Sequence, residues 1–215
     1  MICYTNYMGI EQEFKWDGAP RGAFGHFVQT LEEICGNISS GGTVQITDYY
    51  LDNAAGQLAA RKVALRIRYS NAKWEATCKR RSQIKNGLAR RQERTLALPQ
   101  ARSIKSALKT LQQRQDWVGL KKETLQVRFI IRNCRQLFYI RYKSCACEAA
   151  LDNYVTCCGK NRLRRKEIEL ELKKGSTRDF KKLIEKIATV SDLKPVKISK
   201  VAGAEKWILQ KFSLN

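Results

Sequence analysis

Strands that carry charge along one face must either show that face to water or close it around an interior that needs the charge, and this sequence repeats such strands along its length. From Ile10 to Trp16, Glu11, Glu13 and Lys15 alternate with Ile10, Gln12, Phe14 and Trp16, which is the two-residue period of a strand. Between Lys62 and Ser70, Ala64, Arg66 and Arg68 alternate with Val63, Leu65, Ile67 and Tyr69. Asn71 and Ala72 fit a tight turn into 73–80, where Glu75, Thr77 and Lys79 oppose Trp74, Ala76 and Cys78. Over 90–98, Arg91, Glu93 and Thr95 oppose Gln92, Arg94 and Leu96, so both faces are polar, and Pro99 ends the strand. Glu167, Glu169 and Glu171 alternate with Ile168, Leu170 and Leu172.

Other segments complete a strand-rich chain. Residues 43–51 read as a strand, and 124–142 as a long extended stretch containing Arg128, Arg132, Arg135 and Arg141. A strand over 146–152 is expected to turn at Asp152-Asn153, with 160–166 as an exposed loop, a last strand near 196–200 and a short segment around Trp207. Helical spacing of Phe27, Leu31 and Ile34 predicts a helix over 25–36, and Ile104, Ala107, Leu108 and Leu111 predict one over 101–114. Phe180, Leu183, Ile184 and Ile187 give the clearest helix, 177–190, with Ser176 as its N-cap. No repeat or low-complexity linker divides the chain, so one domain is expected over 1–215.

The formal net charge is +21, yet residues 1–60 hold only two basic side chains, Lys15 and Arg21, against seven acidic ones. An excess of this size calls for a polyanionic partner. A solvated basic surface and a nucleic-acid binder are the competing explanations. What separates them from a charged interior is sorting: carboxylates gather on two strands, basic groups on others, as a polar barrel interior requires. Such charges cost several kcal/mol each unless paired or met by ions. No apolar run approaches the ~20 residues of a membrane span, and MICYTNYMGIEQEF lacks signal-peptide character. A cytoplasmic protein is therefore expected.

One histidine, His26, excludes most imidazole-based catalysis and falls on a predicted helix, where a structural role is expected. Eight cysteines include Cys145, Cys147, Cys157 and Cys158, whose spacing departs from paired zinc-ligand gaps. Free thiols are the plainer reading.

The order of motifs resembles a known family. Glu11-Gln12-Glu13-Phe14-Lys15 is similar to the ExExK signature that opens the CYTH, or triphosphate tunnel metalloenzyme, superfamily. DYYLDNAAGQLAARKVALRIR, KWEATCK, GLARRQERTLAL, EAALD and KEIELELKKGS resemble its later motifs in the same order, and DLKPVKISKVAG resembles the close of the inorganic triphosphatase branch. That resemblance implies a mostly β, α+β chain: an eight-stranded antiparallel β-barrel tunnel with flanking helices, hydrolysing or rearranging triphosphates with Mg²⁺ or Mn²⁺, two ions in number. Carried over by position, Glu11, Glu13, Glu167 and Glu169 would hold the cations. Arg66, Arg68, Lys79, Arg132, Arg135 and Lys200 would grip phosphates. Lys15 would orient water or substrate, with Glu93 and Asp152 as supporting carboxylates on the catalytic side.

Three functions stay in view: hydrolysis of tripolyphosphate or a small organic triphosphate, class IV adenylate cyclase chemistry in the same tunnel, and a non-catalytic polyphosphate- or RNA-binding module. A pure polyanion binder has no use for carboxylates facing phosphate unless a metal lies between them. The two motifs of alternating glutamate therefore favour the enzyme.

Overall fold

The computed structural model describes residues 6–80, 88–114 and 124–212. Eight strands are formed: β1 (Asn6–Asp17), β2 (Ser39–Asp52), β3 (Val63–Ser70), β4 (Lys73–Arg80), β5 (Leu88–Ala97), β6 (Gln126–Tyr142), β7 (Cys145–Cys158) and β8 (Asn161–Gly175). They close into an antiparallel barrel in the order β1-β5-β4-β3-β2-β6-β7-β8, with β8 returning to β1. Closure removes the sheet edges and turns one face of every strand inward. The period-two alternation read from the sequence thus sorts side chains between lumen and exterior.

The outer, apolar faces are packed under helices. α1 (Ala23–Cys35) and α4 (Thr177–Val190) cover β1 and β6–β8, burying Trp16, Phe27, Phe180, Leu183 and Ile168 completely. The Ser176 hydroxyl accepts from the Asp179 N–H and caps α4 as expected. α3 (Ile104–Gln112) lays Ala107 and Leu111 against Leu65, Ile67, Ala76 and Leu96, and a capping box at Ser103 starts it. Short α2 (Gln57–Ala60) is held by the Asp52 carboxylate, which accepts from the backbone of Leu58 and Ala59. Among the described residues no helix is long and apolar enough to cross a membrane.

The Asn71-Ala72 turn forms with both residues at positive φ, +48° and +59°, the hairpin geometry whose twist matches its strands. Gly175 is required where β8 hands over to α4, because a Cβ there would lie 1.9 Å from Ser144 O.

Several expectations are corrected. β7 runs straight through Asp152-Asn153, and the Asp152 carboxylate bonds to Asn133 and Arg135 of the neighbouring β6 rather than to its own backbone. The reversal comes at Gly159, with φ +56°. Residues 161–166 are the first part of β8 rather than a loop. No strand forms at 196–200. Trp16 and Pro195 make a single bridge, and proline lacks the N–H needed to extend the ladder. Ser199 then caps α5 (Lys200–Phe212) by accepting from the Ala202 N–H. That helix presses Val201 and Ala204 onto Tyr50, Ile131 and Tyr154, which are inward-facing residues, so it closes over one end of the barrel.

Candidate active site

The lumen is a cavity of about 250 Å³ lined by nine basic and eight acidic side chains. Most of them reach it from directly opposed positions on neighbouring strands, where side chains lie close enough to interact. Opposite charges face each other at Glu11 and Arg91, Lys15 and Glu169, Asp48 and Arg68, Lys79 and Glu93, and Arg135 and Asp152. Like charges face each other at Glu13 and Glu171 and at Asp152 and Glu167.

These contacts form two groups linked through Glu13, and a third around Asp48. At one, Lys15 Nζ lies 3.4 Å from Glu13 and 3.2 Å from Glu167 and also pairs with Glu169. Lys200 Nζ, at the start of α5, lies 2.7 Å from Glu169 and 3.1 Å from Glu167 and pairs with Asp152. At the other, Lys79 Nζ is 2.9 Å from Glu11 and 2.7 Å from Glu93, and Arg91 Nε donates to Glu11 at 2.7 Å while its Nη2 pairs with Glu13. Arg68 donates twice to Asp48, and Arg66 Nη1 reaches the same carboxylate at 3.5 Å.

The electrostatics follow from these partners. Burial alone would lower Lys15 and Lys200, but the surrounding carboxylates outweigh it and hold both ammonium groups above their usual range. Burial also opposes ionisation of Glu11, Asp48, Asp152 and Glu169, yet their cationic neighbours hold all four below the ordinary carboxylate range. Lys79 goes the other way: burial, then Arg91 and Arg66, depress it more than Glu11 and Glu93 raise it. Burial raises Glu167 and Glu171. Lys79 is thus a half-buried cation opposed by its surroundings despite its pairs with Glu11 and Glu93, and Glu171 a half-buried carboxylate whose one ion pair is with Lys173 at 3.0 Å.

Among the described residues no three carboxylate, thiol or imidazole groups converge as metal ligands, because the ammonium groups of Lys15 and Lys200 stand between the carboxylates. The donors nevertheless suit a hard cation, which takes oxygen ligands. Glu11, Glu13, Glu169 and Glu171 all line the cavity. Buried Glu13 Oε1 accepts no hydrogen bond apart from its ion pair with Arg91.

Of the residues expected from sequence, Glu11, Glu13, Lys15, Arg66, Arg68, Lys79, Glu93, Arg135, Glu169 and Lys200 line the cavity. Asp152 joins them through Arg135 and Lys200. Glu167 sits beyond the lining, tied to Lys15 and Lys200, and Glu171 occupies the cavity position opposite Glu13. Arg132 does not reach the lumen: Ile131, Asn133 and Arg135 point inward, so Arg132 points outward and is exposed. Arg91, Asp48 and Glu171, with Glu75, Arg80, Glu148 and Lys173, are the charged lumen residues that sequence reasoning passed over.

His26 is exposed on α1. Cys145 and Cys147 are buried beneath α1 and α4, while Cys157 and Cys158 lie more than ~30 Å along the same strand, so the four cannot share an ion. Cys3 and Arg81 fall outside the described residues.

An antiparallel eight-stranded barrel with a lumen lined by charged groups of both signs defines a tunnel protein. The CYTH domain family matches residues 35–204, and this chain belongs to it. β1, with Glu11, Glu13 and Lys15, precedes the matched region, and it is the barrel that brings it to the site. No curated protein matches the chain significantly. The chain is similar to the putative adenylyl cyclase HpAC1 from Hippeastrum, described as having a dominant triphosphatase activity: 22% identity, TM-score 0.65, covering 91% of this chain and 95% of that one. A putative adenylate cyclase from Bacillus halodurans gives 20% identity and TM-score 0.61 over 91% and 97% of the two chains. The PH1819 protein from Pyrococcus horikoshii OT3 gives 17% and 0.59 over 94% and 99%. At these identities the likeness concerns the fold.

Proposed function

We propose that the protein is a divalent-metal-dependent triphosphatase acting on tripolyphosphate or a small organic triphosphate held in the tunnel. The observation that carries this reading is the placement of Arg66, Arg68, Lys79, Arg91 and Arg135 around one cavity with inward carboxylates on β1 and β8. Carboxylates facing phosphate repel it unless a cation lies between, and a simple polyanion binder would have no reason to bury them. Cyclisation of a nucleotide is less favoured, because 17 of the 24 residues lining the lumen are charged, which leaves little wall for a nucleobase. The dominant activity named for the Hippeastrum relative agrees with hydrolysis.

Mg²⁺ or Mn²⁺ would be held by Glu11, Glu13, Glu169 and Glu171, supplying charge neutralisation at phosphate oxygens and a more acidic bound water. The rest is the work of the chain's own groups, since phosphoryl transfer asks chiefly for positioning and charge stabilisation. Arg66 and Arg68, steadied by Asp48, present guanidinium forks to phosphate oxygens. Lys79 gains from an arriving anion, because burial and two arginines oppose its charge. Lys15 and Lys200 hold Asp152, Glu167 and Glu169 in place, and Lys15 orients water or substrate beside them.

The direct test is phosphate release from tripolyphosphate, ATP, thiamine triphosphate and long-chain polyphosphate, with Mg²⁺, Mn²⁺ or excess chelator. Metal-dependent release from a short triphosphate supports the reading. No release from any short triphosphate with either metal overturns it.

A further inference from the structure

The tunnel accounts for almost none of the chain's +21 charge, since nine basic side chains there face eight acidic ones. The excess lies outside the lumen, and one part of the barrel's outer surface gathers several basic side chains, with Asp17 as an acidic residue beside Arg164 and Lys166. Directly opposed residues on neighbouring strands point to the same side, so Tyr69, Thr47, Arg132, Val155 and Arg164 form one row across β3, β2, β6, β7 and β8. Arg132 and Arg164 are exposed. The adjacent rows end on exposed Arg162 and Lys166 and contain no acidic residue.

Aromatic rings mark the other end of the row. Tyr69 is 41% exposed, and its ring lies 4.7 Å from that of Trp74. Tyr49 stacks on the same indole at 6.0 Å. The open ring stands at the end of a row that carries Arg132 and Arg164, and it offers a flat surface on which a base can stack. β3 and β8 stand four places apart among the eight strands of the closed barrel, so the row curves around the wall over a path of about 19 Å, a span of several nucleotides.

We propose that single-stranded nucleic acid follows this curved outer surface, with backbone phosphates on Arg132, Arg162, Arg164 and Lys166 and a base stacked against Tyr69. Aromatic platforms beside basic grooves are the means by which unpaired bases are held. Inorganic polyphosphate would use the basic groups but gain nothing from the rings. This site is independent of hydrolysis in the tunnel.

The test is fluorescence anisotropy of a labelled single-stranded oligonucleotide of about 12 nucleotides across a salt series, with long-chain polyphosphate as the comparison ligand and a melting curve for each variant. The double variant Arg132→Glu with Arg164→Glu should weaken oligonucleotide binding at least ~tenfold and reduce the slope of log K against log salt by about 2. Tyr69→Ala should weaken oligonucleotide binding about fivefold or more and leave polyphosphate binding unchanged. The control Arg178→Glu with Lys181→Glu, on the exposed side of α4, should have a much smaller effect. If the α4 control weakens binding as much as the strand variant does, the attraction is diffuse and the proposal is overturned. Equal loss of both ligands in Tyr69→Ala, or no loss of either, also overturns it.

Discussion

Arg68 and Asp48 clasp each other across the β2–β3 ladder through two parallel bonds, Nε to Oδ1 at 2.7 Å and Nη2 to Oδ2 at 2.8 Å. Asp48 is buried, and its carboxylate also meets Arg66. It therefore fixes the direction of two guanidinium groups that face the cavity. Asp48→Asn keeps the shape, removes the charge and leaves the arginines repelling each other. Breaking a buried pair from one side costs about 3 kcal/mol or more, which for a chain of this size lowers Tm by roughly 6–12 °C. The substituted enzyme should also show a raised KM for tripolyphosphate with a smaller change in kcat, read from steady-state phosphate release.

The tunnel's titration behaviour sets two opposite stability trends. Asp48, Glu11, Asp152 and Glu169 are held below their ordinary values. Their contribution is complete above the ordinary carboxylate range and is lost as pH falls through the lowered values. Glu171 is held above its ordinary 4.5, so its contribution is complete below 4.5 and is lost as pH rises through the raised value. Without metal, Glu171→Gln should raise Tm at pH 7–8 and make little difference near pH 4. With millimolar Mg²⁺ the wild type should gain stability that Glu171→Gln does not. Melting curves over pH 4–8, with and without the ion, check both.

Ala72 carries a left-handed φ of +59° with a β-carbon, a conformation costing about 1 kcal/mol that glycine avoids. Ala72→Gly should raise Tm by roughly 2–4 °C with turnover unchanged, as shown by a thermal melt and an activity assay. A lower Tm would show that the turn is under no strain.

Much of the barrel was legible because period-two alternation of charge is written directly in the strands. Glu11, Glu13 and Lys15, the pair Arg66 and Arg68, and Lys79 all reach the lumen for that reason. The same rule was available for Arg132 and Arg135, which stand three residues apart and so cannot share a face. The strand around Arg91 was polar on both sides and gave no inside, and Asp48 was a lone acid among Thr47, Tyr49 and Tyr50, with no charged neighbour to mark its face. Which of Glu167, Glu169 and Glu171 line the cavity depends on register with β1, where Glu171 meets Glu13, a relation no single strand contains. α5 was hidden by Pro195 and by Gly203 within it, and it forms because Val201 and Ala204 have an apolar surface to cover.

Ligand-linked stability separates a lumen site from surface condensation. A ligand bound only by the folded state, present at a hundredfold excess over Kd, stabilises it by about 2.7 kcal/mol. Tripolyphosphate at millimolar concentration should raise Tm by several degrees more than chloride at equal ionic strength, and Arg68→Ala should lose most of that shift. A shift matched by chloride, or kept in Arg68→Ala, would place the anion outside the tunnel.

The central claim is that buried carboxylates on β1 and β8 serve hydrolysis through a divalent cation. Initial rates of phosphate release from tripolyphosphate, with Mg²⁺ or with excess chelator, test it in wild type, Glu13→Gln and Glu169→Gln. The account predicts release that stops in chelator and falls in each variant by roughly two orders of magnitude, about 2.7 kcal/mol of transition-state stabilisation, while each variant still melts cooperatively. Full activity in chelator, or in either folded variant, would contradict it.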